Sequence, residues 1–353
     1  MTSTDRLPWR VAMDRALYGP GGFFVSGAGP AAHFRTSVHA SPVFAATLFR
    51  LLTRVDAALG HPARLDVVDV GAGRGELLRA LSALAAARPP LTARLRLTAV
   101  ERAVPPEDLP EEIEWSDQIP SGITGLLIAT EWLDNVPLDV AVRTRDGWRY
   151  LLVDPATGEE SVGDRVSLAD GDWLARWWPT ATGEAGSTGS GGPEPLAAIS
   201  ARAEIGRTRD EAWADAVKHV DRGLALAVDY GHLREERPVD GTLTGYRAGR
   251  QVAPVPDGSC DITAHVAVDS IAFAGERVAR CAYSLISQRE GLRAFGADGG
   301  RPPLRLAAED PAGYVRALAA ASTVAELTDP AGLGGHWWLR QPVSVGPDAL
   351  MAR

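Results

Sequence analysis

The run Leu65–Val70 followed by Gly71-Ala72-Gly73-Arg74-Gly75 constrains the fold more than any other part of the chain. A short apolar, β-branched run that ends in glycines reads as a buried strand. Glycines at alternate positions make a tight turn, let the backbone approach a ligand closely, and present amides at a helix N-terminus. Residues 76–87 then have the length and pattern of a helix. The apolar runs Leu95–Val100, 125–130 and 224–229 predict further buried strands, and 278–285 and Trp337–Val343 are later candidates. Strands alternating with helices predict an α/β fold with a mostly parallel sheet of about seven strands, one of them antiparallel near the C-terminus. Ligands in such sheets sit at the carboxyl ends of the strands.

The remaining segments are expected to decorate this sheet. Residues 42–59 predict a helix, with Ser41 as N-cap and Pro42 at its first position. Residues 1–60 as a whole are read as an N-terminal lid and helical preamble, and 61–353 as the main domain. Within it, 140–220 is expected to form an accessory cap. It opens with a hairpin over 140–153 that turns at Asp146-Gly147. A short helix over 172–178 carries three of the ten tryptophans, which predicts packing. The Gly/Ser/Pro-rich 180–195 is expected to be a flexible loop, and 196–220 a helix.

At 353 residues the chain is roughly twice the ~150-residue prior for one domain. Its 45% hydrophobic and 23% charged residues exclude a disordered chain. The net charge of −9 offers no basic footprint for nucleic acid. Lys218 is the one lysine, so arginine is the default cation here and no single arginine is informative. Two cysteines, Cys260 and Cys281, predict reduced thiols in a cytoplasm. The first ten residues lack an apolar signal core, and no apolar run approaches the ~18 residues of a membrane span. No metal is expected, because no histidine pair has the H-x-x-x-H spacing.

The glycine spacing discriminates between cofactors. A dinucleotide fingerprint, G-x-G-x-x-G, needs glycine where Glu76 stands. The pattern G-x-G-x-G, with Asp69 two positions before Gly71, resembles the loop of class I S-adenosylmethionine methyltransferases, whose cofactor has no pyrophosphate. Glu101 ends the next strand, where an acid accepts the two ribose hydroxyls. Asp69, Gly71, Gly73, Gly75 and Glu101 are therefore the candidate cofactor-binding residues.

Several separated motifs extend the resemblance over about residues 18–339. Tyr18-Gly19-Pro20-Gly21-Gly22-Phe23-Phe24 is similar to Y-x-P-x-x-G-Y-Y, and 34–44, containing Thr36 and Ser37, to F-x-T-A-P-E-x-S-P-x-F. Ala129-Thr130-Glu131-Trp132-Leu133-Asp134-Asn135-Val136-Pro137 resembles A-N-E-F-F-D-A-L-P. Asp229-Tyr230-Gly231-His232 matches D-Y-G-H, and 260–266, containing Asp261 and His265, resembles A-D-L-T-A-H-V. Gln288-Arg289-Glu290-Gly291-Leu292 is similar to Q-G-E-F-L. Together these motifs resemble the MidA-type class I methyltransferases. The mitochondrial members of that family act as respiratory complex I assembly factors and methylate arginine in a complex I subunit.

The resemblance implies S-adenosylmethionine as cofactor, Thr36 and Ser37 as further cofactor contacts, and a protein arginine as acceptor. His33, His39, Thr130 and Ala267 depart from the family's Asp, Glu, Asn and Asp. These departures weaken the acceptor assignment more than the cofactor assignment. A small-molecule acceptor and a non-catalytic cofactor-binding assembly factor are the competing readings.

A guanidinium is almost always protonated, so an enzyme acting on it needs carboxylates to orient it and a route for its proton. Glu131 and Asp134 are three apart beyond an apolar strand, and a helical turn there would put them on one face. His232 and His265, with pKa values ordinarily near neutrality, are the candidate bases.

Overall fold

The computed structural model describes residues 6–26, 37–40, 42–179, 201–297, 299–300 and 302–346. The chain divides into two compact units. One comprises Phe34–Trp132, Ala214–Tyr230 and Gly275–Arg353; the other comprises Met1–His33, Leu133–Trp213 and Gly231–Ala274.

The first unit is built on a seven-stranded mixed sheet. Its strands are β1 (Leu65–Val70), β2 (Leu95–Val100), β3 (Ile113–Ser116), β4 (Ile123–Thr130), β5 (Val220–Asp229), β6 (Ser284–Ser287) and β7 (Trp337–Val343). They lie in the order β6-β7-β5-β4-β1-β2-β3. The pairs β1–β2, β1–β4, β2–β3 and β4–β5 are parallel, whereas β7 runs antiparallel to both β5 and β6. Every residue of β1 is buried, as a strand covered on both faces requires.

Alternate strand residues Val67, Leu97, Leu126, Ile128, Leu224 and Leu226 point to one face. There they meet Phe44, Leu48, Leu52 and Val55 of the helix Pro42–Ala58, and Leu77 and Leu81 of the helix Glu76–Ala85. Trp338 of β7 joins this core, its ring edge-on to Phe44 at 6.2 Å.

The second unit carries a five-stranded sheet. Its hairpin, Asp139–Thr144 and Gly147–Val153, closes where Thr144 faces Gly147. Leu7–Pro8, Glu160–Arg165 and Arg202–Ile205 pair antiparallel to this hairpin. The helix Leu168–Trp177 is capped by Ser167, whose Oγ accepts from the Asp170 amide at 3.1 Å. Trp173, Leu174 and Trp178 pack with Ala141, Ala203 and Ile205.

Two segments differ from their expected form. The expected helix over 196–220 is the strand Arg202–Ile205 followed by the helix Arg207–Lys218. Pairing with Asp139–Thr144 takes up its first part, and Gly206 separates the two elements. The expected strand over 278–285 starts later, because the helix Val268–Ala279 runs into it. Arg280, with φ of 52°, ends that helix in a left-handed turn. Residues 27–32, 180–195 and Ser41 lie outside the described residues. No described helix is long and apolar enough to cross a membrane.

The sheet brings backbones into close contact where Gly125 faces Asp66 on one side and Gly223 on the other. A methyl group on Gly125 would land on the Asp66 carbonyl oxygen, and the φ of 151° is one that side chains rarely adopt. Gly125→Ala is therefore expected to cost several kcal/mol, on the order of 3 or more, by forcing β4 away from β1. Chemical denaturation measures this, and a loss below about 1 kcal/mol, the ordinary effect of a point mutation, would contradict the close packing.

Candidate active site

The carboxyl edge of the seven-stranded sheet gathers most of the residues singled out from sequence. After β1 the loop turns through three left-handed glycines: Gly71 (φ 74°), Gly73 (φ 60°) and Gly75 (φ 81°). The Gly71 amide donates to the Val100 carbonyl at 2.9 Å, which ties the loop to the end of β2. A methyl group on Gly71 would press on the Trp132 side chain at 3.0 Å, and one on Gly73 would meet the Glu76 carboxylate at 3.3 Å. Backbone closeness at this loop therefore depends on glycine.

Glu101 is held by backbone amides. Gly73 donates to one carboxylate oxygen at 3.1 Å, and Arg102 and Ala103 donate to the other at 2.7 and 3.3 Å. The carboxylate is thus fixed against the glycine loop with acceptor capacity to spare. Glu76 accepts from the Arg74 amide at 2.9 Å, which occupies a donor that a pyrophosphate would use. Asp69 is buried at the end of β1, and desolvation pushes its carboxyl up to about 8, with Glu76 and Glu101 adding like charge. The carboxylates of Glu76 and Glu101 beside the glycine turn disfavour a phosphate and suit a ligand that carries positive charge.

At the end of β4, Glu131 adopts φ of 50°, a left-handed conformation rare for a residue with a side chain. Its amide donates to the Val228 carbonyl at 2.8 Å. Its carboxylate accepts from the Ser37 amide at 2.9 Å and lies 3.9 Å from His336 Nδ1. The next residue, Trp132, covers Gly71. Asp229, at the end of β5, accepts from the Tyr230 amide at 3.0 Å. Thr130 is buried, and its hydroxyl has no hydrogen-bond partner among the described residues. Ser37 is fully buried with its amide committed to Glu131. Thr36, His33 and the His39 side chain lie outside the described residues.

The second unit holds a cluster of its own. Thr263 donates to the Asp134 carboxylate at 2.6 Å, and Asn135 donates to Asp261 at 2.8 Å. Burial, with the like charge of Asp134, holds the Asp261 carboxyl well above the usual carboxylate range. Arg209 is buried and donates to the carbonyls of Asp134, Val136, Ala264 and His265. One guanidinium thereby joins two of the sequence motifs; in an arginine-rich chain it carries no sequence signal.

His232 is also buried. Arg237 donates to its Nδ1 at 2.7 Å and to its carbonyl at 2.6 Å. Burial and that guanidinium push its pKa down to about 3. With Nδ1 accepting from the guanidinium, the neutral ring carries its proton on Nε2, which is buried without a hydrogen-bond partner among the described residues. His265 retains an exposed surface, yet desolvation by its surroundings still lowers its pKa. Among the described residues no group of three or more His, Cys, Asp or Glu is arranged to hold a metal.

The raised Asp69 value makes a directional prediction. Its carboxyl ordinarily titrates at 3.8 and in the fold at about 8, so between these values the folded state holds a proton that the unfolded state has lost. Stability is then lost as pH rises through that window. Asp69→Asn removes the effect, so the melting temperature of the variant minus that of wild type is expected to grow from pH 5 to pH 8. A difference that stays level or shrinks would contradict the assignment.

Residues 47–285 match a family model described as "Putative S-adenosyl-L-methionine-dependent methyltransferase". No curated protein sequence matches the chain. Among solved structures, a COG1565 superfamily member from Burkholderia thailandensis, bound to S-adenosyl-homocysteine, is 24% identical with a TM-score of 0.77. That match covers 98% of this chain and 90% of the other. A native structure of a COG1565 superfamily protein from the same organism is also 24% identical, with a TM-score of 0.75 over 99% and 90% of the two chains. These likenesses show a shared fold. The family model spans well over half of the sequence and includes the glycine loop, Glu101 and Glu131, and the chain belongs to this family of S-adenosyl-L-methionine-dependent methyltransferases.

Proposed function

We propose that this chain transfers a methyl group from S-adenosylmethionine to a nitrogen of a protein acceptor, with arginine as the residue methylated. The observation that carries the reading is the glycine turn at the end of β1 with Glu101 fixed against it. We read the sheet as the Rossmann-like layout of class I methyltransferases. Its strand order and its single reversed strand, β7, support that reading.

The cofactor, when bound, supplies a methyl group already activated on a sulfonium. The protein is then left with binding and positioning. Glu101 accepts the ribose hydroxyls, and the backbone of Gly71, Gly73 and Gly75 lets the ligand approach. Glu76 and Glu101 set a negative potential that favours a cationic ligand over a dinucleotide. Glu131, held by the Ser37 amide, presents a carboxylate that orients a basic acceptor. In the second unit, Asp134, His232 and His265 are proposed as further catalytic groups. Residues 140–220, with their antiparallel strands and tryptophan-bearing helix, are the proposed seat of acceptor choice. The MidA-type motifs support the protein-arginine assignment.

Calorimetric titration with S-adenosylmethionine and S-adenosylhomocysteine tests the cofactor assignment. Glu101→Ala is expected to weaken both by roughly 100-fold, the loss of two hydrogen bonds to a charged group. Failure of the folded wild type to bind either ligand would remove the enzyme reading and favour an assembly factor. Methyl-tritiated cofactor incubated with a cell extract tests the acceptor. Label is expected in protein and, after hydrolysis, in methylated arginine, whereas label confined to the small-molecule fraction would overturn the protein acceptor.

A further inference from the structure

His336 belongs to no sequence motif, yet the topology brings it to the carboxyl edge. β7 runs against its neighbours, so its first residue, Trp337, lies opposite Asp229, the last residue of β5. An antiparallel strand starts where parallel strands end. His336, one residue earlier, therefore stands on the edge that carries Glu131 and the glycine loop.

Four residues from four elements close a circuit of contacts there. The Ser37 amide donates to the Glu131 carboxylate at 2.9 Å. The Ser37 hydroxyl lies within hydrogen-bond distance of both side-chain amide atoms of Gln288, at 3.2 and 3.3 Å. The Gln288 backbone amide donates to the His336 carbonyl at 2.7 Å. His336 Nδ1 returns to the Glu131 carboxylate at 3.9 Å. Ser37 and Gln288 are fully buried, so the two side chains that support the circuit have little freedom.

The ring of His336 packs against Tyr230, centroids 5.4 Å apart. Its Nδ1 is shut off from solvent, and the side chain as a whole keeps 10% of its surface. Among the described residues, His336 meets Glu131 from the end of β4 and Tyr230 from the end of β5; Asp229 precedes Tyr230, and Asp69, Glu76 and Glu101 lie further along the same edge.

We propose that His336 is the general base of the methyl transfer and that Glu131 orients it and stabilises its charged form. The assignment rests on the methyltransferase reading above. As the bond from methyl carbon to acceptor nitrogen or oxygen forms, the bond from carbon to sulfur breaks and sulfur keeps its electron pair. The proton carried by the acceptor passes to His336 Nε2, and the imidazolium so formed faces Glu131 through Nδ1. The separation of 3.9 Å is longer than a hydrogen bond, and catalytic pairs commonly tighten only when the ligands are in place. The left-handed backbone at Glu131 is the sort of local strain that persists where surrounding contacts over-determine it.

Nuclear magnetic resonance on the full chain with nitrogen-labelled histidine tests the pair. The His336 signal is assigned by its loss in His336→Gln and titrated in wild type and in Glu131→Gln, which keeps an oxygen for the Ser37 amide. A carboxylate beside an imidazole raises its pKa, so Glu131→Gln is expected to lower the His336 value by about one unit. A change below about 0.2 unit would overturn the pairing.

In parallel, methyl transfer is followed with tritiated S-adenosylmethionine and whichever extract fraction wild type labels. His336→Gln is expected to lose about 100-fold or more of this rate while binding S-adenosylmethionine with unchanged affinity by calorimetry. Wild-type transfer by His336→Gln overturns the base alone. A folded wild type that binds no cofactor overturns the methyltransferase reading and the base with it.

Discussion

A strand buried on both faces can place polar side chains at little cost only at its ends, and the chemistry of this molecule follows from that constraint. β1, β2, β4 and β5 lie parallel, so their carboxyl ends share one edge. Each of these ends carries an acid: Asp69, Glu101, Glu131 and Asp229 in turn. The fold accommodates three of these acids in two ways. Backbone amides donate to the Glu101 and Glu131 carboxylates, which stay charged, and Asp69 keeps its proton. The result is an edge short of positive charge, which a sulfonium and ammonium ligand would supply.

The glycines set how close such a ligand can come. Gly71 is already covered by Trp132, and Trp132 is placed by the left-handed turn at Glu131. A single backbone irregularity at the end of β4 thus shapes both the floor of the glycine loop and the carboxylate beside His336. In the second unit Arg209 plays a comparable organising part. It gathers the carbonyls of two loops that sequence places far apart, and Asp134 and Asp261 hold fixed positions beside them.

The buried strands were legible in sequence because burial on two faces leaves an uninterrupted apolar run. Leu65–Val70, Leu95–Val100 and Trp337–Val343 stand where that pattern puts them. Arg202–Ile205 was not legible, since a four-residue strand beside a helix has too short an alternation to separate from helical periodicity. The cofactor loop could be read because its glycines are local. His336 could not, because only the reversed direction of β7 carries it to the edge. His232 is a different case: its motif suggested a base, and the burial and the Arg237 contact that lower its pKa are properties of the fold.

The central claim is that the glycine turn and Glu101 together form the cofactor seat. A crystal structure of the protein soaked with S-adenosylhomocysteine tests it most directly. The account predicts density for the ligand along Gly71, Gly73 and Gly75, with both ribose hydroxyls on the Glu101 carboxylate. Ligand density elsewhere, or at the turn with the ribose directed away from Glu101, would contradict it.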